Sequence, residues 1–389
     1  MRKKIMRPMT ILLIIQFLVM VGFGIVIPIL PFFVEKLGGG ALSLGIFMSV
    51  YSIMQFIFAP IWGRLSDRIG RRPVLLIGLG GYGVTFLMFG MINNLYLLIG
   101  LRALAGMVSS ATLPTAMAYL ADITEGADRS KGMGMLGAAM GLGMVFGPAI
   151  GGWLGLYSFS LPFFVAGGLA LLLLPFTWRF LPESLKRSDL PGRRRPRLTL
   201  AVVKDPLFAL FAFNFVISFS MSMFESTFAL YSADKVGFGP EEMGITFAIL
   251  GIFAVIVQGG LIGPLVKRFG EARLVNSGAF LSSLGLISIV LSRHIVLLVI
   301  STVVFMVGNS LMTPTSSSLV TKQNSRGQGA SLGFFQAFAS LGRVFGPVTG
   351  GALFEIGMGL PYITGAAFLV LVVLVAGSKL SPKIESSLV

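Results

Sequence analysis

Of the fifteen acidic residues in this chain, one stands deep inside an apolar run: Glu225, in Phe219-Ser-Met-Ser-Met-Phe-Glu225-Ser-Thr-Phe228. The others, among them Asp122, Glu183 and Glu271, fall in loops or at the ends of runs, with Asp67 in a loop and Glu355 near the end of a run. A carboxylate at bilayer depth costs roughly 2.5–3.5 kcal/mol on insertion scales, so it normally faces a cavity and marks a proton or substrate pathway. Such a group can hold a proton until a cation replaces it. The alternative is a neutral, hydrogen-bonded Glu of structural use. Arg102, inside another apolar run, calls for a carboxylate, backbone carbonyls or an anionic group on a ligand; a helix clamp is the alternative. Arg343 is the third charge at such depth. There is no cysteine and one histidine, His294, which removes disulfides, thiolate metal sites and Cys/His nucleophiles. With no ATP-binding loop, metal cluster or nucleophile constellation either, an enzyme is disfavoured, and no metal or cofactor is expected.

The elements that must position these charges are apolar throughout. Of 389 residues 55% are hydrophobic and 12% charged, about half the charged share of a soluble domain. Runs long enough to cross the hydrocarbon core recur twelve times, near 8–34, 42–62, 73–91, 95–119, 131–154, 161–181, 206–230, 242–265, 274–291, 295–319, 329–354 and 359–378. Helices are the reading for runs this apolar, because lipid leaves backbone polar groups no outside partner. The expectation is an all-α membrane protein of twelve transmembrane helices.

The basic residues orient it. With the N-terminus placed in the cytoplasm, 25 of the 30 Lys and Arg fall on that side, and only Lys36, Lys235 and Arg293 on the other. The net charge of +15 is then topology, with both termini inside, and nucleic-acid binding loses its support. The polar stretch 182–205 separates two six-helix halves, 1–181 and 206–389, which resemble each other at an offset of about 200. Gly63-x-Leu65…Arg68-x-Gly70 matches Gly263-x-Leu265…Arg268-x-Gly270, and Gly147-Pro148-x-x-Gly151-Gly152 matches Gly346-Pro347-x-x-Gly350-Gly351. Duplicated halves around a midplane site are how secondary transporters are built.

The segment Gly63-Arg64-Leu65-Ser66-Asp67-Arg68-Ile69-Gly70-Arg71-Arg72-Pro73 resembles the signature loop between helices two and three of the major facilitator superfamily. Gly141 to Gly152 resembles the fifth-helix motif of its proton-coupled exporters, and Arg102-Ala-Leu-Ala-Gly106 the fourth-helix motif. The resemblance covers essentially the whole chain. It points to bacterial twelve-helix drug:proton antiporters, between tetracycline exporters and the NorA and Bmr type of multidrug exporter.

The resemblance implies a fold of two six-helix halves and roles for particular residues. Glu225 matches an acid of the NorA and Bmr type, and Arg102 an arginine close to the proton pathway. Gly63, Asp67, Arg68, Gly70, Arg71 and Arg72 form a cytoplasmic gate. For Arg343, a pairing with Asp67 across the halves and a place in the cavity wall both stand open. Gly143, Gly147, Pro148, Gly151 and Gly152 allow close helix approach and a bend, as a packing seam or a hinge. Met20, Gln55, Met144, Phe228 and Met306 are the choices for an adaptable cavity suited to planar cations.

The resemblance also breaks. Tetracycline exporters have acids where this chain has Val19 and Thr85, and the NorA and Bmr type has a second acid and an arginine where it has Ser310 and Thr313. The function expected is proton-coupled export of lipophilic, cationic drugs by a monomer in a bacterial cell membrane. Its partners are small-molecule substrates, protons and the lipid bilayer, and no nucleic acid. Export of a native metabolite, sugar or lipid precursor, or a non-transporting sensor or scaffold, are the other readings.

Overall fold

Three of the apolar runs are interrupted next to a proline. The computed structural model describes residues 2–185, 207–322 and 328–380, and all regular structure among them is helical. The run 8–34 folds as two helices, α1 (Arg2–Val26) and α2 (Leu30–Lys36). Pro28 has no N–H, and its ring collides with the carbonyl four residues back, so the chain turns at Ile27–Ile29 instead of continuing. Helices α3 (Ala41–Ile69) and α4 (Arg71–Met91) follow. The run 95–119 splits in the same way, into α5 (Leu95–Ser109) and α6 (Thr112–Ile123). Pro114 cannot donate to the carbonyl of Ser110, where the break falls. Helices α7 (Gly126–Gly155) and α8 (Leu161–Phe180) complete the N-terminal series.

The C-terminal series is α9 (Phe208–Val236), α10 (Pro240–Ile256), α11 (Ile262–Phe269), α12 (Glu271–Leu291), α13 (Ile295–Lys322), α14 (Gln328–Ile356) and α15 (Leu360–Leu380). Between α10 and α11 lies a π-helical turn, Val257–Leu261. Pro264 leaves the carbonyl of Gly260 without its helical donor, and the wider turn absorbs the mismatch. Ten helical stretches among the described residues are long and apolar enough to cross a membrane, and Leu360–Leu374 is a shorter apolar one. The eleventh expected run coincides with α14. Most of the expected linker, from 186 to 205, lies outside the described residues.

The chain divides into two compact units: Met1–Arg193 with Phe238–Gly251, and Arg194–Gly237 with Ile252–Val389. Each contains tightly apposed helix pairs, of which one carries the repeated glycine motif. In the first, α7 meets α1 through Gly143, Gly147 and Gly151. A Cβ on these would lie 2.7 Å from the Phe17 carbonyl oxygen, 2.6 Å from that of Val21 and 2.0 Å from that of Ile25. Gly152 meets Gly244 of α10 in the same unit, its Cβ position 2.7 Å from the Gly244 Cα. In the second, α14 meets α9 through Gly342 and Gly346, with Cβ positions 2.6 Å and 2.7 Å from the carbonyls of Phe215 and Phe219. Backbones this close exclude any side chain, and in lipid such contact is a main source of helix association.

Candidate functional site

The pair α9–α14 carries the two charges of the second unit that stand inside expected membrane runs, Glu225 and Arg343. Glu225 is half-buried on α9, while Ser222, Met223, Phe224, Ser226, Thr227, Phe228 and Ala229 around it are buried. No hydrogen bond to its carboxyl is found among the described residues; its electrostatic partner is Arg343 on α14. Arg343, beside the seam glycine Gly342, donates to Ser340 Oγ at 2.9 Å. Arg343 thus lies in the same unit as Glu225 and within electrostatic reach of it, a neighbour that neither sequence reading of this arginine named. An acid in a half-buried position, within electrostatic reach of an arginine, can exchange that influence for a proton or a cation.

Among the described residues, no carbonyl or carboxylate hydrogen bond to Arg102 on α5 is found. Arg102 is 4% exposed, and its guanidinium lies over the rings of Tyr51 at 4.2 Å, Phe47 at 4.9 Å and Phe89 at 6.0 Å. No carboxylate pairs with it among the described residues. Aromatic faces hold the cation instead, through the negative potential of their ring centres. The Tyr51 hydroxyl meets Ser109 Oγ at 2.9 Å and Gln55 Nε2 at 3.1 Å. Residues 47, 51 and 55 share one face of α3, and a spacing of four read alone looks like a lipid-facing stripe.

Of the expected cavity residues, Met20, Gln55, Met144 and Met306 are half-buried. Phe228 is 0% exposed and stacked on Phe224 at 4.7 Å, inside the packing of the second unit. Its side chain is filled around by neighbours and presents no accessible face.

The signature segment forms a network at the junction of α3 and α4. Arg71, largely buried, pairs with Asp67 at 2.6 Å and with Asp122, at the end of α6, at 3.1 Å. It also donates to Ser66 Oγ at 2.6 Å. Glu183, just past α8, accepts the backbone N–H groups of Arg71 at 2.8 Å and Arg72 at 3.1 Å. Those are orphan donors of the first turn of α4, where a carboxylate is favoured. Gly70 has φ +109°, and a Cβ there would fall 2.5 Å from Glu183 Oε2, so the position excludes a side chain twice over. The Arg72 guanidinium donates to the Trp178 carbonyl, Ser184 Oγ to Asp122 at 3.0 Å and Tyr119 to the Pro182 carbonyl at 2.6 Å. The Gly63 carbonyl accepts Ser66 Oγ, and Arg68 is exposed.

Asp122 and Glu183 were not singled out by sequence. The available signal was Leu181-Pro-Glu-Ser184, a short polar string directly after a span. The second unit repeats the arrangement with the signs reversed. Gly270 has φ +77°, and Glu271 accepts from Ser318 Oγ at 3.1 Å and pairs with Lys322. Glu271 and Lys322 stand 200 positions after Arg71 and Asp122.

Glycine-sealed helix pairs and ionisable groups held within apolar helices are features of multi-pass membrane transporters. The sequence model of the Major Facilitator Superfamily matches residues 12–323 and 259–386, and the chain belongs to that family. It is 30% identical over 377 residues to Multidrug resistance protein 2 of Bacillus subtilis (strain 168), covering 93% of each chain. It is 29% identical over 348 residues to the Quinolone resistance protein NorA of Staphylococcus aureus, covering 89% of each. The fold is also that of a bacterial homolog to the human lysosomal transporter Spinster, at a TM-score of 0.79, 13% identity and 96% coverage of both chains.

Proposed function

We propose that this transporter exports lipophilic, cationic drugs in exchange for protons, by alternating access of two six-helix halves, 1–181 and 206–389. In this reading the chain spans the bacterial cell membrane twelve times as a monomer with both termini in the cytoplasm. The observation that carries it is Glu225: a half-buried carboxyl at membrane depth, with Arg343 as its electrostatic partner. Protonated, it presents no charge to hold a cation; ionised, it does. A substrate cation and a proton therefore compete for one group, and each inward or outward exposure of that group exchanges one for the other. The likeness to relatives named for multidrug and quinolone resistance supports a drug cargo.

The network around Arg71 serves as the gate, because its ion pairs join the ends of three helices, α3, α4 and α6, and Glu183 adds the segment after α8. The glycine seams of α1–α7 and α9–α14 hold each half rigid while it moves. The test uses inverted vesicles with an imposed pH gradient. Ethidium or a fluoroquinolone should collapse the gradient in vesicles containing the wild-type chain and fail to do so with Glu225→Gln. Coupling by that variant at the wild-type rate would sink the proposal.

A further inference from the structure

Four helices of the first unit, α1, α3, α4 and α5, bring an unbalanced set of polar groups together. Arg102 Nε and Tyr82 Oη are both fully buried and make no hydrogen bond among the described residues. Tyr82 and Tyr51 lie within electrostatic reach of the Arg102 guanidinium. The Tyr82 ring stacks on Phe86 at 4.1 Å, which fixes its direction. Its hydroxyl points at α1, where a Cβ on Gly22 would come within 2.4 Å of it. The Tyr51 hydroxyl is already engaged by Ser109 and Gln55. Gln55 and Phe23, whose ring lies 6.0 Å from that of Tyr51, are half-buried and form the accessible edge of the cluster.

The set has one full positive charge and two unused donors. Its aromatic faces offset part of the charge but accept no conventional hydrogen bond. What it lacks is an acceptor, and a negatively charged acceptor with two oxygens answers both deficits at once. A cation is excluded by the charge already present. We propose that Arg102, with Tyr82 and Tyr51, forms a subsite for the carboxylate group of lipophilic anions and zwitterions. This extends the cargo of the export reading, on which it rests, to molecules that carry a carboxylate beside an amine or none at all.

The probes are a fluoroquinolone carboxylic acid and its methyl ester, which differ only at the group in question. Binding of each to the purified full chain in nanodiscs is measured for wild type, Arg102→Met and Tyr82→Phe. Wild type should favour the acid over the ester by about ten-fold or more, the size of one charge-assisted hydrogen bond. Arg102→Met should bring the ratio to about one, and Tyr82→Phe should leave it between the two. A residue that only clamped helices would change both affinities together and leave the ratio alone. A wild-type ratio near one, or a ratio unchanged in Arg102→Met, overturns the proposal. Should Arg102→Met not yield monodisperse protein, the wild-type and Tyr82→Phe ratios decide. Ethidium-driven proton flux in proteoliposomes keeps the two readings apart. Flux with a ratio near one refutes the subsite alone. A large ratio with no flux from any probe refutes the drug exporter and leaves the subsite standing.

Discussion

The Glu183 carboxylate caps the backbone N–H of Arg71 at 2.8 Å, although 112 residues separate them. Its other oxygen takes the N–H of Arg72 at 3.1 Å. One acid thus fastens the segment after α8 to the first turn of α4. Loss of a helix cap costs about 0.5–2 kcal/mol, so Glu183→Ala should lower the melting temperature in detergent and loosen the proposed gate. Glu183→Gln keeps one acceptor and should fall between. A melting temperature unchanged in both would show that the cap carries no load.

Gly70 faces that same carboxylate. Gly70→Ala places a methyl group 2.5 Å from Glu183 Oε2 at a backbone φ of +109°. It should therefore destabilise more than Glu183→Ala, by roughly 1–3 kcal/mol for the backbone strain alone. Adding Glu183→Ala to Gly70→Ala relieves the clash but not the strain, so the double variant should lose less than the sum of the singles. Thermal melts of the four proteins read this directly.

Arg71 and Asp122 can be exchanged. Each single reversal, Arg71→Asp or Asp122→Arg, leaves like charges in a partly buried place and should abolish transport. The double reversal, which restores the pair, should recover part of the activity. Asp67 stays in place opposite the new acid, so recovery should improve further when Asp67→Asn is added. Drug-resistance assays in cells on matched expression levels give the ranking.

The α1–α7 seam predicts a sharp contrast between two glycines ten positions apart on one helix. Gly151→Ala puts a Cβ 2.0 Å from the Ile25 carbonyl oxygen, so the helices must separate. Gly141→Ala meets nothing within 4 Å and removes a helix-unfavourable residue, worth about 1 kcal/mol in water. Gly151→Ala should fail to accumulate as folded protein, while Gly141→Ala should match or exceed wild type. Fluorescence-detected size exclusion separates the two outcomes.

The proposed competition at Glu225 fixes the sign of a pH effect. A cation binds the ionised carboxyl and displaces a proton, so ethidium affinity should rise as pH rises and level off once the group is ionised. Glu225→Gln has nothing to titrate there, and its affinity should be lower and flat across the same range. A wild-type profile that is flat, or that falls with pH, contradicts the assignment.

What could be seen in the sequence and what could not divides along a physical line. Glu225, Gly70 and the fifth-helix glycines are residues whose type is anomalous for its place, so each announced itself without coordinates. Glu183 and Asp122 are ordinary acids in ordinary loops, and their importance lies in distant backbone donors that only folding brings near. The aromatic seat of Arg102 was hidden for the opposite reason: Phe47, Tyr51 and Phe89 are apolar residues in apolar helices, indistinguishable in type from those facing lipid. The helix breaks at Pro28, Pro114 and Pro264 show a further limit. Pro60, Pro148, Pro314 and Pro347 sit inside unbroken helices, so a proline in an apolar run marks strain without saying whether the helix yields.

The reversed signs of Arg71–Asp122 and Glu271–Lys322 bear on how the chain folds as well as how it works. Two similar halves made in succession invite misassembly, in which a helix end of one docks on the other. Such a mispairing would set Arg71 against Lys322 and Glu271 against Asp122, repulsion at both sites. The inverted charges therefore disfavour that mispairing electrostatically, whatever the likeness of the two copies of the motif.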